Sequence, residues 1–129
     1  MSVLYNKVEK VNPADKTAPK KWYPLLKTVS RVEEKEVARQ ISEETTLNRK
    51  EAEMALDQLE KVLINNLLSG NTVQIGDWGT FMLTCRGEGS ATKEEVTAAS
   101  IKGLNIRFLP GKSLKEALEN ANFVAVDSL

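Results

Sequence analysis

Histidine is absent from this chain, and cysteine occurs once, at Cys85. Imidazole acid–base and triad chemistry are therefore excluded, and zinc has no ligand set. A lone cysteine forms no internal disulfide, which fits a reducing compartment, and its place in an alternating apolar run assigns it to the core rather than to reactivity. Carboxylate pairs such as Glu43-Glu44 and Glu94-Glu95 read as solvated helix and loop charge. No catalytic constellation remains, so neither an enzyme, a cofactor nor a small-molecule substrate is expected. The side chains left to act are cations. Arg86, Lys93, Lys102, Arg107, Lys112 and Lys115 lie in the second half of the chain, and Lys7, Lys10, Lys20, Lys21 and Lys27 lie near its start.

These cations are unevenly spread. Over the full 129 residues, 18 basic side chains cancel 18 acidic ones, which argues against a simple polyanion sponge. Residues 1–31 hold seven basic residues against Glu9 and Asp15, a balance of +5. Residues 32–69 hold five basic against nine acidic, and residues 70–129 hold six against seven. The start of the chain is its basic pole. It lacks the apolar core of a signal peptide, and no apolar run approaches the ~20 residues of a membrane span, so a cytoplasmic protein without a membrane partner is expected.

The elements that must position these residues follow from periodicity. Val3, Tyr5 and Val8 precede an Asn12-Pro13-Ala14-Asp15 turn, and Trp22, Tyr23, Leu25 and Leu26 follow Pro19. This pattern predicts two short strands joined by a polar loop, with Pro24 confining the second to a sheet edge. Ser30-Arg31-Val32-Glu33 has the form of a capping box and predicts a first helix that ends at Thr45-Thr46. A second box, Asn48-Arg49-Lys50-Glu51, opens the longest periodic segment, in which Ala52, Ala55, Leu56, Leu59, Val62, Leu63 and Leu67 recur at helical spacing up to Ser69-Gly70. So short a joint makes the two helices an antiparallel pair.

Gly70 to Arg86 then reads as a β-hairpin with one apolar face, turned by Gly76-Asp77-Trp78-Gly79 with both glycines free to take positive φ. An indole in a turn wastes a large apolar surface unless another element or another chain covers it. The polar stretch Gly87 to Glu95 predicts a flexible loop. A strand from Val96 to Phe108 follows, with a bulge at Gly103. Lys112 to Asn122 predicts a short amphipathic helix, beyond which the tail from Phe123 is free to fray.

The order of these elements, with Gly76-Asp77-Trp78-Gly79-Thr80-Phe81 and Phe108-Leu109-Pro110-Gly111-Lys112-Ser113-Leu114-Lys115, resembles the HU/IHF family of bacterial histone-like DNA-bending proteins. Within it, the chain resembles the N-terminally extended HU-like, or HU-HIG, type. The likeness covers Val32 to about Ala121. It implies an α+β, HU/IHF-like fold: a helical hairpin, a three-stranded antiparallel sheet with a β-arm, and a C-terminal helix, paired as an intertwined homodimer. Residues 32–129 would form the HU-like DNA-binding domain and residues 1–31 a basic β extension. Leu59, Leu63, Leu67, Trp78, Phe81 and Phe108 would fill the dimer interface. Arg86, Lys93, Lys102, Arg107, Lys112 and Lys115, with Lys20 and Lys21 of the extension, would contact double-stranded DNA in the nucleoid without reading sequence.

Two departures qualify that expectation. Family arms are rich in arginine and carry a proline wedge at the tip, which by gapless counting would fall near Ser90, and no proline lies between Thr72 and Leu109. From Arg86 to Glu95 two cations face three carboxylates, so the arm supplies little counterion release and bending is weakened. The alternative is a structural or protein-interaction dimer on the same scaffold with little affinity for DNA.

Overall fold

The computed structural model describes all residues from Met1 to Leu129. Its order of elements is β1 (Val3–Lys10), β2 (Lys21–Lys27), α1 (Glu34–Glu44), α2 (Arg49–Leu68), β3 (Val73–Ile75), β4 (Gly79–Gly87), β5 (Ile101–Pro110), α3 (Lys112–Glu119) and β6 (Phe123–Ala125). The result is a mixed α+β chain with two three-stranded sheets. It divides into two compact units, one of residues 1–33 with 117–129 and the other of residues 34–116.

In the second unit, α2 starts where its capping box predicts. The Glu51 amide donates to Asn48 Oδ1 at 2.9 Å, and the Glu51 carboxylate accepts the Asn48 amide at 3.4 Å. Its other end closes on Gly70, whose φ of 89° suits only glycine and lets Gly70 and Asn71 donate to the carbonyls of Leu67 and Asn66. Helix α1 begins at Glu34, one residue past the Ser30 to Glu33 box rather than inside it. Its actual start signal is the acidic first turn of Glu34 and Glu36, which complements the helix dipole. Thr45 stops it, donating its hydroxyl back to Ile41 O at 2.8 Å and accepting the Leu47 amide at 3.3 Å. Ala38 on α1 and Ala52 on α2 are both fully buried, small residues where the two helices pack.

The sheet of this unit runs β3-β4-β5, all antiparallel. Trp78 N donates to Ile75 O at 3.2 Å, closing a turn in which Gly76 takes φ 54°. Gly79 does not take positive φ, contrary to the sequence expectation. It is glycine for want of room, because a Cβ there would overlap the Phe108 ring, and a Cβ on Gly111 would overlap the Asp77 carbonyl. Strand β5 starts at Ile101 rather than Val96. Ser100 accepts the Thr97 amide on its hydroxyl and donates its own amide to Thr97 O, winding Ala98–Ser100 into a 3-10 turn that competes with the strand. The bulge is present: Arg86 faces Gly103 and Gly87 faces Ile101, so Lys102 is the extra residue. Cys85 is exposed, a correction to its assignment to the core, because it lies on the outer stretch of β4 opposite Leu104.

The first unit contains a sheet of order β2-β1-β6. Strand β2 is an edge, as Pro24 requires. The C-terminal tail does not fray as expected: Phe123, Val124 and Ala125 pair in parallel with Val3, Leu4 and Tyr5, anchored by Val3 N donating to Asn122 O at 2.8 Å. Unit composition therefore couples the two ends of the sequence.

Two predictions follow from this packing. Gly79→Ala and Gly111→Ala should each lower the unfolding free energy by about 3 kcal/mol, since added carbon in a filled site forces backbone shifts, while Gly89→Ala, with open space around it, should leave the thermal midpoint unchanged. Helix α1 supplies the second. Hydrogen bonds from Arg39 and then Gln40 hold the Glu36 carboxyl down at about 2. A hydrogen bond with Asp57, some loss of hydration and the charges of Asp57, Glu60 and Glu53 push Glu34 up. The stabilisation from Glu36 is present above the ordinary glutamate range and is lost as pH falls towards 2; that from Glu34 runs the other way, present at low pH and lost as pH rises through its raised value. Carboxyl-resolved NMR should show the two titrating on opposite sides of a normal glutamate, with Arg39→Gln moving Glu36 up towards the normal range and leaving Glu34 raised.

Candidate functional site

The long hairpin of β4 and β5 has two chemically different faces, and its register assigns each side chain to one. Phe81 opposite Phe108, Leu83 opposite Ile106 and Cys85 opposite Leu104 make one face. Thr80 opposite Leu109, Met82 opposite Arg107, Thr84 opposite Asn105 and Arg86 opposite Gly103 make the other. The second face carries both arginines of the hairpin. Gly103 leaves space over the strand that the Arg86 guanidinium fills, at 3.4 Å from where a Cβ would be. A planar fork held flat along a sheet is suited to a phosphate or carboxylate.

Next to this face, the Pro110-Gly111-Lys112-Ser113 phrase is tied to the turn of the hairpin. Gly111 N donates to Trp78 O at 2.8 Å, and Ser113 Oγ donates to Asp77 O at 2.9 Å. These two bonds fix the start of α3, and with it Lys112 at the first position of the helix and Lys115 in the same turn. The remaining predicted cations are placed differently. Lys102, on the bulge, donates to Ala99 O at 3.0 Å and lies 3.6 Å from Glu88, so it closes the base of the arm tip on itself. Lys93 sits in the 3-10 turn Lys93–Glu95 beside two carboxylates. Lys20 and Lys21 belong to the first unit, where Lys21 opens β2 directly opposite Lys10. Of the predicted cations, Arg86 and Arg107 thus share one face of the hairpin, and Lys112 and Lys115 lie in the first turn of the helix tied to its turn.

The apolar face has the opposite problem, an excess of uncovered surface. Trp78 packs edge-on to Phe81 at 5.7 Å between centroids and lies 5.7 Å from Phe108, and Phe81 and Phe108 are 4.9 Å apart. Yet Trp78 remains 45% exposed, Ile106 61% and Leu104 56%, and Leu59, Val62 and Ile64 of α2 are exposed as well. Leu63 is half-buried, and Leu67 is covered by its own chain. Trp78, Phe108 and Leu59 were expected at a dimer interface from the sequence; Leu104, Ile106, Val62 and Ile64 are exposed here but were not among those expected there. The parity of β5 relative to Phe108 was the available signal for the first two. No His, Cys, Asp and Glu side chains gather in a group of three that could hold a metal ion, and no helix is long and apolar enough to cross a membrane.

Comparison with known proteins places this geometry. The profile of the family HU-HIG, described as an HU domain fused to wHTH, Ig, or glycine-rich motif, matches residues 1–124. Among solved structures, a protein from Bacteroides vulgatus ATCC 8482 described as a candidate bacterial DNA-binding protein superposes with a TM-score of 0.65 at 16% identity. The match covers 95% of this chain and 48% of that one, so the present chain spans about half the length of that neighbour. At such identity the likeness is one of fold. No curated protein matches the chain significantly.

Proposed function

The chain belongs to the HU-HIG family of HU domains, and on that premise we propose that it is a non-sequence-specific, nucleoid-associated protein that binds double-stranded DNA as a homodimer. The observation that carries this reading is the division of the β4/β5 hairpin into an apolar face left bare and a polar face bearing Arg86 and Arg107. A second copy covers the first face, and phosphates meet the second. Lys112 and Lys115 add cations to the same unit, and Lys20 and Lys21 offer further phosphate contacts from the N-terminal unit. The neighbour from Bacteroides vulgatus, described as a candidate DNA-binding protein, supports the same class of ligand. Contacts from such cations to phosphates carry no sequence information, so backbone contact without sequence preference is the natural mode.

Bending is weak on this reading. The arm tip has no proline to wedge between base steps, its carboxylates outnumber its cations, and Lys102 is held by Glu88 and Ala99 rather than presented outward. The same three features favour a second reading, a protein-interaction dimer that has kept the scaffold and lost DNA affinity.

A gel-shift titration on random duplex at several salt concentrations separates them. The DNA reading predicts binding whose log affinity falls steeply with log salt. Arg86→Gln and Arg107→Gln should each flatten that slope by about 2, because a dimer loses each contact twice at roughly 0.9 per phosphate. Glu88→Gln should tighten binding by releasing Lys102. Absence of a shift even at low salt would leave the interaction-dimer reading standing alone.

A further inference from the structure

Lys10 and Lys21 face each other directly across β1 and β2 at the loop end of the N-terminal hairpin. Like charges so placed are destabilising, and no carboxylate forms an ion pair with either. The nearest acids are committed elsewhere. Asp15, the one carboxylate of the connecting loop, accepts the Thr17 hydroxyl at 2.6 Å and the Thr17 amide at 3.0 Å, bonds that hold its carboxyl below its usual range. Glu9 lies on the opposite face, across from Trp22.

Beside this pair, on the same sheet face, stands Tyr23. Its ring is 44% exposed, with Lys10 Nζ 5.8 Å from the centroid. The two lysines and Tyr23 line a groove of about 590 Å³ together with Pro13, Ala18 and Pro19 of the loop. Two ammonium groups without carboxylate partners, one of them over a half-exposed aromatic ring, beside apolar loop residues are a combination with a specific complement. A phosphodiester satisfies the lysines and a planar base satisfies the ring. Duplex DNA offers only the first, since its bases are stacked within the helix. An added β-strand, from a second copy or any other protein, is discouraged by Pro24 within the open edge.

We propose that the Lys10–Lys21–Tyr23 groove binds an unpaired nucleotide of single-stranded DNA, stacking the base on Tyr23 and holding flanking phosphates on the two lysines. The inference rests on the nucleic-acid reading above and adds to it: besides the duplex phosphate contacts proposed for Lys20 and Lys21, the extension takes single strand.

The test is fluorescence anisotropy of the full chain with labelled dT12 and, separately, with a random duplex. Tyr23→Ala should weaken dT12 binding about tenfold, within the range alanine substitution gives for one base–aromatic stack, and leave duplex affinity within twofold. Tyr23→Leu, which keeps apolar bulk on the strand without a π-face, should lose as much, and Tyr23→Phe should retain wild-type affinity. Replacing Lys10 and Lys21 together by Gln should flatten the dT12 salt slope by about 1.4, at roughly 0.7 per phosphate of a single strand. Unchanged dT12 affinity in Tyr23→Ala, or equal losses on dT12 and duplex, would overturn the proposal. So would competition by an acidic peptide as effective as dT12, or a change of oligomeric mass in Tyr23→Ala, which would assign the groove to protein. If wild type binds dT12 with the Tyr23 dependence stated but fails to bind duplex, the arm-face reading falls and the groove stands.

Discussion

The close approach of two backbones around Trp78 constrains most of the second unit. Gly79 lets the Phe108 ring lie against β4, and Gly111 lets the start of α3 come down on the Asp77 carbonyl, where the Gly111 and Ser113 bonds then lock the turn. Any side chain at either glycine would push the strand from its partner or the helix from the turn. The two motifs that look unrelated along the sequence, Gly76 to Phe81 and Phe108 to Lys115, are the two halves of this single contact. Its consequences run outward: the register of β4 against β5 is set at this end, and the register decides which residues share the face of Phe81 and which share the face of Arg107.

That partition gives one hairpin two chemically different faces. A one-residue slip of β5 against β4 would bring Arg107 to the side of Phe81 and move Leu104 and Ile106 to the other. The bulge at Lys102 re-phases the strand beyond the useful stretch, and its ammonium ties the arm base to Glu88 and Ala99. Charge that another arrangement would present to a ligand is here consumed in local closure. The chain thus concentrates its usable cations near the body of the sheet, at Arg107, Lys112 and Lys115, with Arg86 further along the strand.

Much of this was legible in the sequence where local rules decide. The Asn48–Glu51 box, the Gly70 stop, the edge placement forced by Pro24 and the three strands of the second sheet all rest on short-range chemistry and are found as expected. Readings that depended on competition between neighbours were less secure. Thr97 and Ser100 turn backbone that apolar alternation alone would extend, and Ser30 to Glu33 satisfies a pattern that the acidic turn of Glu34 and Glu36 supersedes. Long-range pairing was invisible: nothing local to Phe123 indicates that it meets Val3, or that Lys7 finds Asp127 at 3.4 Å. At the candidate site, residue types could be named, but which cations are already engaged depends on contacts, and Lys102 is the clearest case.

The bare apolar face is the observation from which the homodimer is proposed. Among hydrophobic residues only Ala38, Ala52 and Leu67 are buried, and no large side chain is fully enclosed, which is far short of what 129 residues need to offset their conformational entropy. A second copy that covers Trp78, Leu104, Ile106 and the α2 leucine face would supply the missing core, and folding would then depend on protein concentration. Sedimentation equilibrium on the full chain, from high nanomolar to tens of micromolar, tests this most directly. The expected mass is twice 14.3 kDa wherever the chain is folded, with an unfolding midpoint that rises with concentration. A cooperatively folded species of 14.3 kDa, with a midpoint independent of concentration, would contradict it.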